Sequence, residues 1–302
     1  MGIGNLKKLK AYNFYYCIRE IASSLTLLAM TEKNMIGVFD SGFGGLTVLK
    51  EFLRVLPEYD YVYLGDNARA PYGNKSDEAI YQNTKQAVDF LFKQSCELII
   101  IACHTASSKA LRRIQEDFLP EKYPESRVLG VVVPIVEAAI KLSRHHRLGV
   151  IGTAATINSG VYKRELEKLR SDLEIFQTAC PLLVPLVEEG WTEKPEARMI
   201  LKKYLRPLKV KEIDTLILGC THYPLMIKDI KRIMGKNVKV INPAVIAAEK
   251  LAEYLKKHGE IEKKLEKNGK LIFYTTDDVD KFKNFGQKFL GREISEVNKA
   301  VL

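Results

Sequence analysis

The chain has 302 residues, 46% hydrophobic and 28% charged, with a formal net charge of +10. A chain of this length buries roughly three quarters of its unfolded surface, so its core needs neither disulfides nor a metal. No apolar run approaches the ~20 residues of a membrane-crossing helix, and the basic residues are spread out with no recognition motif, so neither a membrane nor a nucleic acid is expected as a partner.

The first 34 residues stand apart. They hold KKLKAYNFYYCIREIASSLTLLAM, with no strand–loop–helix order. Arg19 and Glu20 interrupt any apolar core of a secretory signal, and no small-residue cleavage site follows. Residues 1–34 read as a poorly ordered extension from an upstream start codon, one that proteolysis would trim.

From Met35 the pattern alternates. IGVF at 36–39, YVYL at 61–64, LIII at 98–101, VLGVVV at 128–133, LGVI at 148–151, TLIL at 215–218 and VKVI at 238–241 read as strands. Helical periodicity occupies 45–56, 76–94, 106–118, 134–144, 158–170 and 224–234. Continuous apolar strands alternating with helices imply α/β units around parallel sheets. The dense run KKHGEIEKKLEKNGK at 256–270 mixes signs and reads as a solvated helix face.

A weak internal repeat divides this pattern. GVFDSGFGG from Gly37 resembles GVIGTAATINSG from Gly149, and about 65 residues after each comes a strand ending in Cys. Two similar halves would form a cleft at their junction, where open α/β sheets bind ligands.

The two strand ends are LIIIACHTASS at 98–108 and IDTLILGCTHYP at 213–224. Five cysteines at wide spacing, with no CxxC, read as reduced cytosolic thiols. Cys17, Cys96 and Cys180 lack polar company and read as small buried apolar groups. Cys103 and Cys220 have it. His145, His146 and His258 read as exposed.

Three thiol chemistries fit. A cysteine nucleophile with His222 or His104 as base leaves one thiol idle. A redox pair is usually closer in sequence. Proton transfer on opposite faces of one carbon uses both thiols, one as base and one as acid, with the roles exchanged in reverse. Ser41, Thr105, Thr153, Thr156 and Thr221 follow strands, where hydroxyls either cap helices or hold a carboxylate. Asp40 and His222 are candidates to orient each thiol or exchange its proton. Gly42, Gly44 and Gly45 allow a tight turn or a close approach.

Five segments in this order resemble bacterial glutamate racemases, which are cofactor-independent two-cysteine enzymes. They are FDSGFGGLTV at 39–48, GDNARAPYGNKS at 65–76, IACHTAS at 101–107, LVPLVEEG at 183–190 and LGCTHYP at 218–224. The resemblance runs from Met35 to about residue 290. It implies that Cys103 and Cys220 are the acid/base pair, assisted by Asp40 and His222. It implies that Asp40, Ser41, Tyr72, Gly73, His104, Thr105, Thr221 and His222 meet or frame the substrate, with Asp66 and Glu188 nearby.

The implied fold is two pseudo-symmetric, doubly wound α/β domains with a mostly parallel sheet in each. Residues 35–131 with 243–302 form the first and residues 132–242 the second. The implied activity is racemisation of L- to D-glutamate for peptidoglycan, in the cytoplasm, with no cofactor; a homodimer is one expected assembly. An aspartate or broad-range racemase of the same superfamily and a cysteine hydrolase are the rival readings. The family usually has Asn where this chain has His104. A protonated His104 beside Cys103 would stabilise a thiolate, and His104→Asn should then alter the pH optimum.

Overall fold

The computed structural model describes residues 34–302; the expected extension lies, but for Asn34, outside them, as does Cys17. The first half opens with β1 (Met35–Asp40), β2 (Tyr61–Gly65), β3 (Cys96–Ile101) and β4 (Arg127–Gly130). The second carries β5 (Arg147–Gly152), β6 (Glu174–Ala179), β7 (Thr215–Gly219) and β8 (Lys239–Ile241). The chain then returns to the first sheet with β9 (Leu271–Thr275) and β10 (Asn298–Lys299).

Six strands lie in the order β10-β9-β2-β1-β3-β4 and four in the order β6-β5-β7-β8. Every pairing is parallel. The stretch β2-β1-β3-β4 therefore repeats as β6-β5-β7-β8. The repeat from Gly37 and Gly149 falls on β1 and β5, the equivalent strand of each half. β1 and β7 are buried along their whole length, as apolar runs in a parallel sheet should be.

Helices cover the sheets, and some of them begin at a capping side chain. Along the chain, α1 spans Leu46–Val55, α2 Asp77–Lys93, α3 His104–Lys109, α4 Val132–Leu142, α5 Ala154–Asn158 and α6 Val161–Leu169. Further along are α7 (Leu183–Glu188), α8 (Pro195–Val210), α9 (Ile227–Met234), α10 (Pro243–Lys257) and α11 (Val279–Leu290). Ser76 Oγ accepts from Ala79 N at the start of α2, and Asp77 and Glu78 fill its first turn. Asn242 caps α10, with Pro243 as its first residue. Gly291, at φ 75°, ends α11 in the left-handed conformation.

Several expectations need correction. VLGVVV is not one strand: β4 stops at Gly130 and Val132 opens α4. The helix expected at 106–118 starts at His104 and breaks after Lys109, continuing through a π-helical turn at Ile114–Phe118. The helix expected at 158–170 begins at Val161, because Gly160, at φ 63°, separates it from α5. The stretch at 224–234 is a 3-10 turn followed by α9.

One apolar core runs from α1 and α10 through to the second sheet, and another lies under α2 and α3. The returning tail braces the site: Phe43 stacks on Phe282 and Phe289 of α11, at 5.5 and 5.9 Å between centroids. Among the described residues no helix is long and apolar enough to cross a membrane.

Candidate active site

The carboxyl ends of β1, β3, β5 and β7 converge at the junction of the halves. Asp40 ends β1, Cys103 follows β3, Thr153 follows β5 and Cys220 follows β7. This is the crevice that strand topology predicts for ligands. Both thiols are nearly enclosed, with Cys103 5% and Cys220 6% exposed. A large open cleft, about 700 Å³, lies elsewhere; it is lined by Leu111, Arg112, Val131, Arg164, Lys250 and Tyr254 and by neither thiol.

Cys103 precedes the first turn of α3, and its Sγ lies 3.3 Å from Ser41 Oγ. Burial raises its thiol and the Asp40 charge raises it further, up to about 12, against the pull of Ser41 and the Ala106 amide. Asp40 is fully buried, and burial lifts its carboxyl above the usual range. His222 charge and the amides of Gly45 and Gly42 oppose that rise. Gly42 N donates to Asp40 Oδ2 at 2.9 Å, and Thr221 Oγ1 donates to Oδ1 at 3.3 Å from the opposite half.

Cys220 Sγ lies 3.8 Å from His222 Nδ1, while His222 Nε2 lies 3.0 Å from Glu188 Oε1. Burial alone would depress the imidazole, but its bonds to Cys220 and Glu188 outweigh that and push it up to about 10. His222 is therefore positive at neutral pH. Its ring edge meets Phe289 of α11 at 5.6 Å.

Tight glycine turns bring these groups together. A Cβ on Gly44 would lie 2.2 Å from Thr221 Oγ1 and 2.5 Å from His222 Nδ1, and one on Gly45 2.4 Å from Asp40 Cβ. Gly44 is thus glycine for close approach between the halves, and Gly45 for close packing on Asp40 within the first.

The hydroxyls form a second cluster across the junction. Thr105 Oγ1 lies 2.9 Å from Thr153 Oγ1 and 3.2 Å from Thr156 Oγ1, and Thr153 Oγ1 also caps α5. Gly73 packs directly on Thr153. Asp66 stands one layer back. Its Oδ2 accepts from Tyr72 OH at 2.5 Å and Arg69 Nε at 2.7 Å, and its Oδ1 from Thr276 at 2.8 Å.

His104 corrects an electrostatic expectation. It is 2% exposed, and neither ring nitrogen has a partner among the described residues. Burial pushes its imidazole down to about 3. A neutral His104 supplies no positive charge to Cys103.

Several contributors escape sequence reasoning. Thr47 Oγ1 donates to the Thr221 carbonyl at 2.9 Å, tying α1 to the Cys220 loop. Tyr63 OH donates to the Gly42 carbonyl at 2.9 Å. Arg69 and Thr276 fix Asp66. Thr47 and Arg69 lie inside the segments 39–48 and 65–76, which is the one signal that could have found them; Tyr63 and Thr276 carry none.

Similarity to known proteins agrees with this geometry. Residues 36–251 match the family described as Asp/Glu/Hydantoin racemase. A glutamate racemase of Geobacter metallireducens is 39% identical over 268 residues, 88% of this chain and 96% of that protein. One from Sulfurihydrogenibium is 45% identical over 253 residues, 82% and 92% of the two chains. The crystal structure of a Bacillus anthracis glutamate racemase isoform superposes with a TM-score of 0.82 at 37% identity, covering 89% of this chain and 98% of that one. The Francisella tularensis glutamate racemase, solved with D-glutamate, gives 0.79 at 36% identity, covering 90% and 98%. With matches of this extent, and with two α/β halves meeting at paired strand-end thiols, the chain belongs to the Asp/Glu/Hydantoin racemase family.

Proposed function

We propose that the protein interconverts L- and D-glutamate without a cofactor, using Cys103 and Cys220 as a proton-transfer pair. The observation that carries this reading is the placement of two thiols at equivalent strand ends of opposed halves, each with its own titratable neighbour. Relatives named glutamate racemases support the choice of substrate.

In one direction, one thiolate removes the α-proton and the opposite thiol donates to the other face of the planar carbon. In the other direction the roles exchange. Cys103, held as a thiol by burial and by Asp40, is suited at rest to donate. His222, positive at neutral pH, is placed to hold or supply the proton that Cys220 exchanges. Asp40 does the corresponding work at Cys103.

Ser41, Thr105, Thr221 and the Tyr72–Gly73 backbone are the groups we assign to the substrate carboxylates and ammonium, with Thr153 and Thr156 behind Thr105. Neutral His104 offers one donor and one acceptor and no charge. Glu188 tunes His222, and Asp66 holds Tyr72. We divide the chain into residues 35–131 with 243–302 and residues 132–242, a division supported by the membership of the two sheets. We place the reaction in the cytoplasm, supplying D-glutamate for peptidoglycan, on a basic surface suited to draw in an anionic amino acid. A homodimer is the assembly that accompanies this reading, and sedimentation of the purified chain tests it.

The test is circular dichroism of L-glutamate with purified protein and no added cofactor. The signal should decay to zero, and Cys103→Ala and Cys220→Ala should each abolish the decay. Decay of L-aspartate alone would move the specificity. Loss from only one of the two cysteine variants would favour a hydrolase-like single nucleophile.

A further inference from the structure

Tyr162 rests against the immediate neighbour of each thiol. It is the second residue of α6 and has no exposed surface. Its ring faces His104, with centroids 6.4 Å apart and planes 27° from parallel. Its Cε2 also lies 3.1 Å from where a Cβ on Gly219 would sit. His104 directly follows Cys103, and Gly219 directly precedes Cys220.

The contact with Gly219 is closed from two sides. A Cβ there would also meet the Ile151 carbonyl at 2.8 Å, so β5 and the Tyr162 ring together leave no room for a side chain at the β7 end. His104 belongs to the other half, and its ring makes no hydrogen bond that would fix it. The aromatic face of Tyr162 is the planar surface turned towards that ring. The Tyr162 hydroxyl has no partner among the described residues either, so among them the side chain holds its neighbours by shape and not by a polar bond.

We propose that Tyr162 is a positioning residue for the racemisation: a planar wedge that sets the spacing of Cys103 and Cys220 across the substrate. The proposal rests on the two-thiol reading and deepens it. Two acid/base groups acting on opposite faces of one carbon must keep their separation closely. An error of about 1 Å in such a geometry can cost 10²-fold in rate. A ring that faces His104 in one half and abuts Gly219 in the other sets that separation without contacting the reacting carbon. Burying an unpaired hydroxyl costs free energy, so removing it alone should do no harm.

The test compares Tyr162→Phe, Tyr162→Leu and Tyr162→Ala in the full chain, with kcat and KM measured from both enantiomers. Phe keeps the plane, Leu keeps much of the volume, and Ala keeps neither. Leu and Ala should lower kcat about 10- to 100-fold in both directions, with KM within about threefold and a larger isotope effect from α-deuterated glutamate. Phe should restore the wild-type kcat. Circular dichroism and melting temperature confirm that the variants are folded, and Leu decides the matter if Ala unfolds. The proposal is overturned if Phe is as slow as Leu, if Leu matches wild type, or if the loss is confined to KM. Cys103→Ala and Cys220→Ala assayed alongside keep the two claims apart. Activity surviving in either cysteine variant removes the two-thiol reading itself, whatever Tyr162 does.

Discussion

Glu188 Oε1 holds His222 Nε2 at 3.0 Å, while Nδ1 of the same ring faces the Cys220 sulfur at 3.8 Å. The ring is raised to about 10 from an ordinary 6.5, so it is charged across the neutral range. Glu188→Gln removes one of the two partners that keep it charged. The His222 ionisation should fall towards neutrality, and the limb of kcat/KM that reports it should move to lower pH. A pH–rate profile for each enantiomer checks this, and a limb that stays in place would sever Glu188 from His222.

The same pair sets a sign for stability. A group raised on folding stabilises fully below its unfolded value and loses that contribution as pH rises through its folded value. The His222 contribution is therefore complete below pH 6.5 and fades as pH climbs to about 10. Wild type and Glu188→Gln should melt furthest apart at the acidic end of that window and converge at its alkaline end.

Asp40 has a separable effect on Cys103. Burial and the Asp40 charge together hold that thiol at about 12. Asp40→Asn leaves the burial and removes the charge. Alkylation of Cys103 by iodoacetamide should then begin at lower pH, with Cys103→Ala as the background. Racemisation should nonetheless fall about 10²-fold, since a proton-transfer partner is lost.

Gly44 predicts a steric failure. Gly44→Ala would drive a methyl group to 2.2 Å from Thr221 Oγ1 and 2.5 Å from His222 Nδ1. We expect a loss of about 1–3 kcal/mol, together with a fall in kcat as Thr221 and His222 are displaced. Thermal melting and steady-state kinetics of the one variant read both.

A stability control lies far from the thiols. Asp60 is buried and accepts from the amides of Asn268 and Lys270 at 2.9 Å each, and from Asn268 Nδ2 at 3.2 Å. It pins the loop that leads the returning tail into β9. Asp60→Ala should lower stability by about 2–3 kcal/mol in urea titration, with activity per folded molecule unchanged.

The legible parts of the sequence were those with one physical cause. LIII and TLIL are buried on both faces, so they read as continuous apolar strands, and the small residues after them mark where the chain opens into a site. EIFQTA at 174–179 escaped because β6 is an edge strand, half exposed and mixed in polarity. LIFYT at 271–275 escaped because it follows a lysine-rich stretch and pairs with β2, far back in the chain. Val131–Val133 misled because β-branched residues favour strands, yet here they turn into α4. The thiols and their companions were adjacent in sequence to strand ends. Tyr162, by contrast, matters only through Gly219 and His104, which no local pattern joins to it.

The enclosure of both sulfurs has an isotopic consequence. A thiol with 5 or 6% of its surface exposed exchanges hydrogen with solvent mainly when the junction opens. During one closed interval the hydrogen taken from substrate stays on the accepting sulfur or its acid/base neighbour, and the product carries the hydrogen that the other sulfur brought in. In D2O, product formed from unlabelled glutamate should be deuterated from its first appearance, while unreacted substrate stays unlabelled early in the reaction.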